Sequence, residues 1–337
     1  MKQVLTKKHI SEYYENHFDI DSIMPYIGLS DFRNREFGFV IEESNRERFI
    51  RNISFGTSTT LKEYMVSNNV KHAYIGAVYD KPPSNRNPIG KIKWVRRELI
   101  FDLDIDEYDE VRTCGCKGDE YCIDCWSLIQ DAVIFIEKTM REDFGMQQIK
   151  WIYSGRRGVH GWILDRETQF YDQQVRIAIL NYLTFVQGKS SGEKVDRIDT
   201  LPTEAKPLRN RIYSLIGRSY LSHVSPEELY EISKETDAKM TKKSLETIIK
   251  RVKMSKEFDF NSYSRIMPPN NNFRERLSQE MIYRRFPRID RKVTMDTRRV
   301  SRMPYSIHGK TGKIAVEIDD ILKFDPFNSP SVWEYVK

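Results

Sequence analysis

No stretch of this 337-residue chain approaches the roughly 20 apolar residues that a membrane-spanning helix needs, which excludes a helical membrane protein. Residues 1–8, Met-Lys-Gln-Val-Leu-Thr-Lys-Lys, lack an apolar signal core, so export is not expected. Cysteine is scarce: Cys114, Cys116, Cys122 and Cys125 all fall within 114–125. Thiols so clustered cannot staple distant segments, which argues against a disulfide framework and, in a protein that is not exported, for metal. Internal repeats and low-complexity tracts are missing, which excludes a solenoid. Charge of one sign barely dominates, with 55 basic against 49 acidic residues and a net charge of +6. That balance permits a nucleic-acid or nucleotide partner without requiring one. A P-loop is also absent. Gly309-Lys310-Thr311 ends as such a loop should, but the pattern needs glycine where the chain has Pro304.

What is present reads as a soluble, globular chain, 39% hydrophobic and 31% charged. Its length exceeds what one core usually organises, so two lobes or a domain with an insert are expected. Hydrophobic periodicity predicts a helix over 9–27, strands over 35–42 and 72–79, and a helix near 60–68 between them. Strand 98–104 ends in carboxylates. A helix covers 126–144, strands 148–153 and 159–164 form a hairpin, and an amphipathic helix spans 172–185. Ser225-Pro226-Glu227-Glu228 opens a helical stretch with an N-cap, a proline in the first turn and acidic residues. Residues 286–318 return to strand-like texture. The fold class is therefore mixed α/β, a sheet whose last strands come from the C-terminal third. The expected divisions are a core over 1–190, a helical insert over 191–275 and the rest of the core over 276–337.

Two motifs carry chemistry. Asp102 and Asp104 follow Leu99, Ile100 and Phe101 at i and i+2, so in a strand both carboxylates share one face while Phe101, Leu103 and Ile105 point inward. Paired carboxylates suit divalent metal, although the plainer reading is the polar face of an edge strand. The second is Tyr153-Ser154-Gly155-Arg156-Arg157-Gly158-Val159-His160. Its glycines permit a tight turn, Arg156 and Arg157 offer bidentate grips on phosphate, and Ser154 and His160 add donors. The plainer reading here is an exposed basic hairpin tip. Arg302, His308 and Lys310 form another candidate anion contact, beside a basic run over 284–302. The spacing C-x-C-x₅-C-x₂-C offers four thiolates to a closed, structural Zn²⁺ site, with reduced cysteines free of metal as the alternative.

Taken together these segments resemble the small catalytic subunit of the archaeal and eukaryotic DNA primase. The resemblance runs through Arg35-Glu36-Phe37, Ile75-Gly76-Ala77-Val78-Tyr79, the Asp102/Asp104 strand, the cysteine loop and the Ser-Gly-Arg-Arg-Gly-Val-His turn. It resumes at Phe286-Pro287-Arg288-Ile289-Asp290 and at Ser306-Ile307-His308-Gly309. It implies a primase-type catalytic domain in which Asp102, Asp104 and Asp290 hold two Mg²⁺ or Mn²⁺ ions. Asp196 and Asp199 compete for the third place by sequence, and the family spacing to Arg302 and His308 favours Asp290. The triphosphate contacts implied are Ser154, Arg156, Arg157, His160, Arg302 and His308, with Arg35 a further contact to the nucleotide. Arg302 stands where eukaryotic members carry Lys. The resemblance also implies a single-stranded DNA template, nucleoside triphosphates and a large iron-sulfur subunit as partner. The wording of the C-terminal motif looks archaeal, which implies a cytoplasmic, nucleoid-associated protein; a eukaryotic one would be nuclear. Rival readings are a repair polymerase that extends DNA ends and a non-catalytic zinc-containing nucleic-acid adaptor.

Overall fold

A computed structural model of the chain describes residues 4–28, 32–43, 46–184, 206–255 and 258–335. Its strands are β1 (Arg35–Glu43), β2 (Arg46–Ile53), β3 (His72–Tyr79), β4 (Trp94–Arg96) and β5 (Leu99–Asp104). They continue with β6 (Ile149–Tyr153), β7 (Gly158–Ile163), β8 (Ser301–Arg302) and β9 (Glu317–Ile318). Among the described residues they make two sheets, β2-β1-β3-β4 with β8 also on β3, and β5-β7-β6-β9. Every pairing is antiparallel. Strands from the C-terminal third complete both sheets, where the sequence suggested a single one. No helix among the described residues is long and apolar enough to cross a membrane.

The mixed α/β class follows from two kinds of periodicity. In β5, Phe101 and Leu103 are buried while Asp102 and Asp104 remain partly exposed, as alternation demands. In the helix Ile123–Phe144, Ile129, Val133, Ile136 and Met140 are all buried, at helical spacing. Gly145, with φ of +70°, ends that helix in the left-handed conformation that glycine adopts without strain.

The chain divides into two compact units. One comprises Met1–Asp104, Met146–Leu180 and Ile289–Lys337 and carries both sheets. The other comprises Ile105–Gly145 and Asn181–Arg288 and is helical. Its boundaries fall outside the 191–275 expected from sequence, because the helix Ile123–Phe144 packs with the later helices. Phe135 meets Phe286, their ring centroids 5.0 Å apart. Arg211 pairs with Asp143 and with Glu142. The cysteine loop that precedes this helix accordingly belongs to the helical unit.

Three local expectations change. Residues 9–27 do not form one helix: Lys7–Glu12 is followed by a π-helical turn Tyr13–His17, a 3₁₀ turn Ile20–Ile23 and Met24–Ile27. Tyr13, Tyr14 and Phe18 are buried together with Ile23, Tyr26 and Ile27, positions that would spread around the whole circumference of one straight helix. Strand β2 has no counterpart in the sequence reading, since it is a charged edge strand whose Phe49 is 51% exposed. The segment 286–318 holds only the two-residue strands β8 and β9, preceded by a short helix, Arg291–Met295.

Candidate active site

The register of β5 on β7 sets the centre of the site. Asp102 lies opposite His160 and Asp104 opposite Gly158. Cross-strand neighbours share a face, so His160 Nε2 comes within 3.4 Å of Asp102 Oδ1. Arg157, one residue before β7, donates Nε to Asp104 Oδ1 at 2.6 Å. Both close approaches depend on glycine. A Cβ at Gly158 would overlap the Leu103 carbonyl oxygen, so a larger residue there would push β7 off the carboxylate strand. Gly155 has φ of +83°, and a Cβ there would meet His308 Cβ at 2.8 Å. This turn is therefore backed directly by the C-terminal segment.

That segment arrives by two routes. Asp290 donates its backbone N–H to the Asp102 carbonyl oxygen at 3.0 Å, which lays residue 290 beside the aspartate strand. Asp290 is the N-cap of Arg291–Met295, its Oδ1 accepting from Lys292 N at 2.8 Å, and not the strand residue expected from sequence. Arg288, two residues earlier, donates to the carbonyls of Glu107 and Tyr283. Farther along, β8 pairs with β3, opposing Arg302 to Tyr74, and a turn after it presents His308. Asp196 and Asp199, the rival third carboxylates, lie outside the described residues.

These pieces line one cavity of about 300 Å³: Asp102, Asp104 and Asp290 together with Ser154, Arg156, Arg157, His160, Arg302 and His308. That volume is at the small end of ligand pockets, which run from roughly 300 Å³ upward. Burial, reinforced by Arg302, pulls the His160 imidazole down to about 3, and the same causes hold His308 far below its usual value. Both rings are therefore neutral near pH 7, and the positive charge of the cavity resides in guanidiniums. His160 Nδ1 is buried without a hydrogen-bond partner. Guanidiniums, a hydroxyl and neutral imidazoles opposite three carboxylates can hold a polyanion beside hard cations. Arg299, from the basic run over 284–302, lines this cavity too, as do Tyr74 and Ser301, which sequence reasoning missed. Tyr74 sits in a strand that reads simply as core, and no local pattern marks it.

One expected contact is placed elsewhere. Arg35 is fully buried in a bidentate pair with Glu98, both bonds 2.8 Å, and also donates to the carbonyls of Ile27 and Gly76. Burial alone would raise the Glu98 carboxyl, but Arg35 beside it holds it below its usual value. Arg35 is thus a structural cation, because four hydrogen bonds inside the core leave it no reach to the cavity. Arg35→Met is expected to lower stability by about 3–5 kcal/mol, leaving Glu98 buried and unpaired. Denaturant unfolding measures this; a raised nucleotide KM with unchanged stability would return Arg35 to the site.

The helical unit holds the second cluster. Cys114, Cys116, Cys122 and Cys125 are free thiols whose sulfurs lie within 4.8 Å of one another. Cys114 and Cys122 each stand 3.6 Å from Cys125. Ligands of a tetrahedral zinc at about 2.3 Å would be about 3.8 Å apart, so the cluster fits a metal ion such as zinc. Cys122 caps the helix Ile123–Phe144 and Cys125 lies in its first turn, so half the cluster rests on a rigid element.

Comparison with known proteins adds an independent finding. The family described as DNA primase small subunit matches residues 101–320, more than half the chain. The DNA primase small subunit of Drosophila melanogaster is 29% identical, over 89% of this chain and 73% of that protein. The DNA primase small subunit of Schizosaccharomyces pombe is 28% identical, over 94% of this chain and 74% of its own length. The archaeal DNA primase small subunit PriS of Methanothermobacter thermautotrophicus is 27% identical, over 94% of this chain and 92% of its own length.

Proposed function

The chain belongs to the DNA primase small subunit family, and on that premise we propose that it is a template-directed primase subunit making short primers on single-stranded DNA from nucleoside triphosphates. One observation carries the reading: three carboxylates and the anion-binding side chains of two distant segments line a single cavity. Asp102, Asp104 and Asp290 supply oxygen donors of the kind Mg²⁺ and Mn²⁺ take, and would hold two such ions. When bound, the ions would lower the barrier to attack of a primer 3′-hydroxyl on the α-phosphorus and stabilise departing pyrophosphate.

The protein's own part is positioning and charge. Arg156, Arg157 and Arg302 neutralise and orient the triphosphate through guanidinium groups that match phosphate geometry. Arg157, already bonded to Asp104, ties the carboxylate pair to that grip. Ser154, His160 and His308 add neutral hydrogen bonds, which fix orientation without adding charge. In the helical unit the four cysteines would hold a structural zinc, since a site closed by four thiolates leaves no position open for chemistry. A large iron-sulfur subunit completes the heterodimer we propose.

The test is primer synthesis on single-stranded DNA, with and without that partner, comparing the native protein with Asp290→Asn. Asn caps a helix as well as Asp does, so the short helix after it should survive the change. Template-directed products from the native protein and a loss of about a hundredfold or more in Asp290→Asn are expected, a large share of what a lost metal ligand costs. Near-normal synthesis by that variant would reduce Asp290 to a helix cap. Products formed only on broken duplex ends would favour the repair-type polymerase.

A further inference from the structure

We propose that His72, at the start of β3, is a positioning residue that holds Arg302 and the Gly309 backbone in place for the phosphate grip. Arg302 Nη1 lies 3.0 Å from His72 Nδ1, and the Gly309 N–H donates to the same nitrogen at 3.4 Å. A guanidinium and a peptide N–H are donors only. Nδ1 must therefore carry the lone pair, and the ring proton resides on Nε2. Only an uncharged imidazole can do this. Its surroundings keep it so: His72 is 6% exposed, and burial together with Arg302 and Lys310 pulls it down to about 3.

The geometry gives His72 leverage on two of the anion contacts. Its ring meets that of His308 edge-on, with centroids 4.9 Å apart. A Cβ at Gly309 would come within 2.8 Å of His72 Nε2, so the backbone there packs directly on the ring. On its other side, the Arg302 guanidinium lies over the Tyr74 ring at 5.2 Å. Strand β8 is only two residues long, so few ladder bonds fix Arg302. Side-chain contacts with β3 must supply the rest. His72 does not itself line the cavity and acts through Arg302.

This inference rests on the proposed triphosphate role of Arg302 and His308, and its test separates the two. Binding of GTP with Mg²⁺ is measured by calorimetry, and nucleotide KM and kcat by primer extension, for the native protein and for His72→Asn, His72→Gln, His72→Phe and Arg302→Gln. The Asn amide oxygen falls where Nδ1 lies, whereas that of Gln falls nearer Nε2. Loss of the acceptor leaves a buried guanidinium short of a partner, so His72→Phe and His72→Gln are expected to raise KM about tenfold or more, with kcat changed less. His72→Asn is expected to stay within about threefold of native, because the acceptor is retained. Should His72→Phe fail to fold, His72→Gln carries the same comparison. Native KM in both Gln and Phe variants, with Arg302→Gln weakened, overturns the role of His72 and leaves the grip intact. Native binding in Arg302→Gln overturns the grip itself.

Discussion

Asp102→Asn and Asp104→Asn are each expected to abolish nucleotide incorporation while the protein stays folded. The two effects differ in scale for a physical reason. Both side chains are partly exposed, at 27% and 37%, with His160 3.4 Å from Asp102 and Arg157 bonded to Asp104. The Arg157–Asp104 pair, partly open to water, is worth about 0–1 kcal/mol, the neutral His160 makes no ion pair with Asp102, and Asn keeps the shape and one acceptor oxygen. Removing one of two like charges on a strand face even relieves some repulsion. Activity has no such cushion, because each carboxylate is a donor in the proposed metal set. A fall to below about a thousandth of native corresponds to more than ~4 kcal/mol of transition-state stabilisation. Incorporation of labelled nucleotide at saturating Mn²⁺, alongside a circular-dichroism melt, measures both. If either variant retains near-native synthesis, the two-metal assignment is wrong.

The protein purified under reducing conditions without added metal is expected to carry one zinc per chain, and replacing Cys122 and Cys125 by Ser should remove it. In small metal-stabilised domains the apparent free energy of structural zinc binding reaches about 10–16 kcal/mol. Here the helical unit has a core of its own, so the expected consequence is local. Upstream of the cysteines, buried Ile105 and Tyr108 and the Arg288 bond to the Glu107 carbonyl hold the chain. Within the loop, Asp109 accepts from Gly118 N, and Arg112 pairs with Asp109 and donates to the Glu120 carbonyl, so the loosening should be confined to 113–122. The Ser variants should therefore open this loop to protease and melt at lower temperature. Elemental analysis decides the first part. Less than about half an equivalent in the native protein, or undiminished zinc in the double variant, would defeat a closed four-thiolate site.

How far such chemistry is legible in sequence depends on how far apart the cooperating atoms lie along the chain. The Asp-x-Asp face was legible because strand side chains alternate with period two, whatever the strand packs against. The Ser154–His160 turn was legible because its glycines and arginines act within a few residues. The cysteines were legible for the same reason, as was the helix start at Ser225-Pro226. Arg35 and Arg302 show where this ends. Both are arginines on strands, and both belonged to the proposed nucleotide contacts. Only packing separates them: Glu98 and two carbonyls enclose Arg35, whereas Arg302 lies against His72 and Tyr74 on the wall of the cavity. Asp290 is similar, since no local pattern announces that its N–H will reach the Asp102 carbonyl. The membership of the cysteine loop in the helical unit was also decided there, by the apolar stripe of Ile123–Phe144 and the helices it meets. By itself the sequence determined which groups could do chemistry, through covalent spacing and local periodicity. Which of them share one cavity was decided by tertiary structure, because burial and long-range partners, not neighbours in the chain, set where a charged side chain is held.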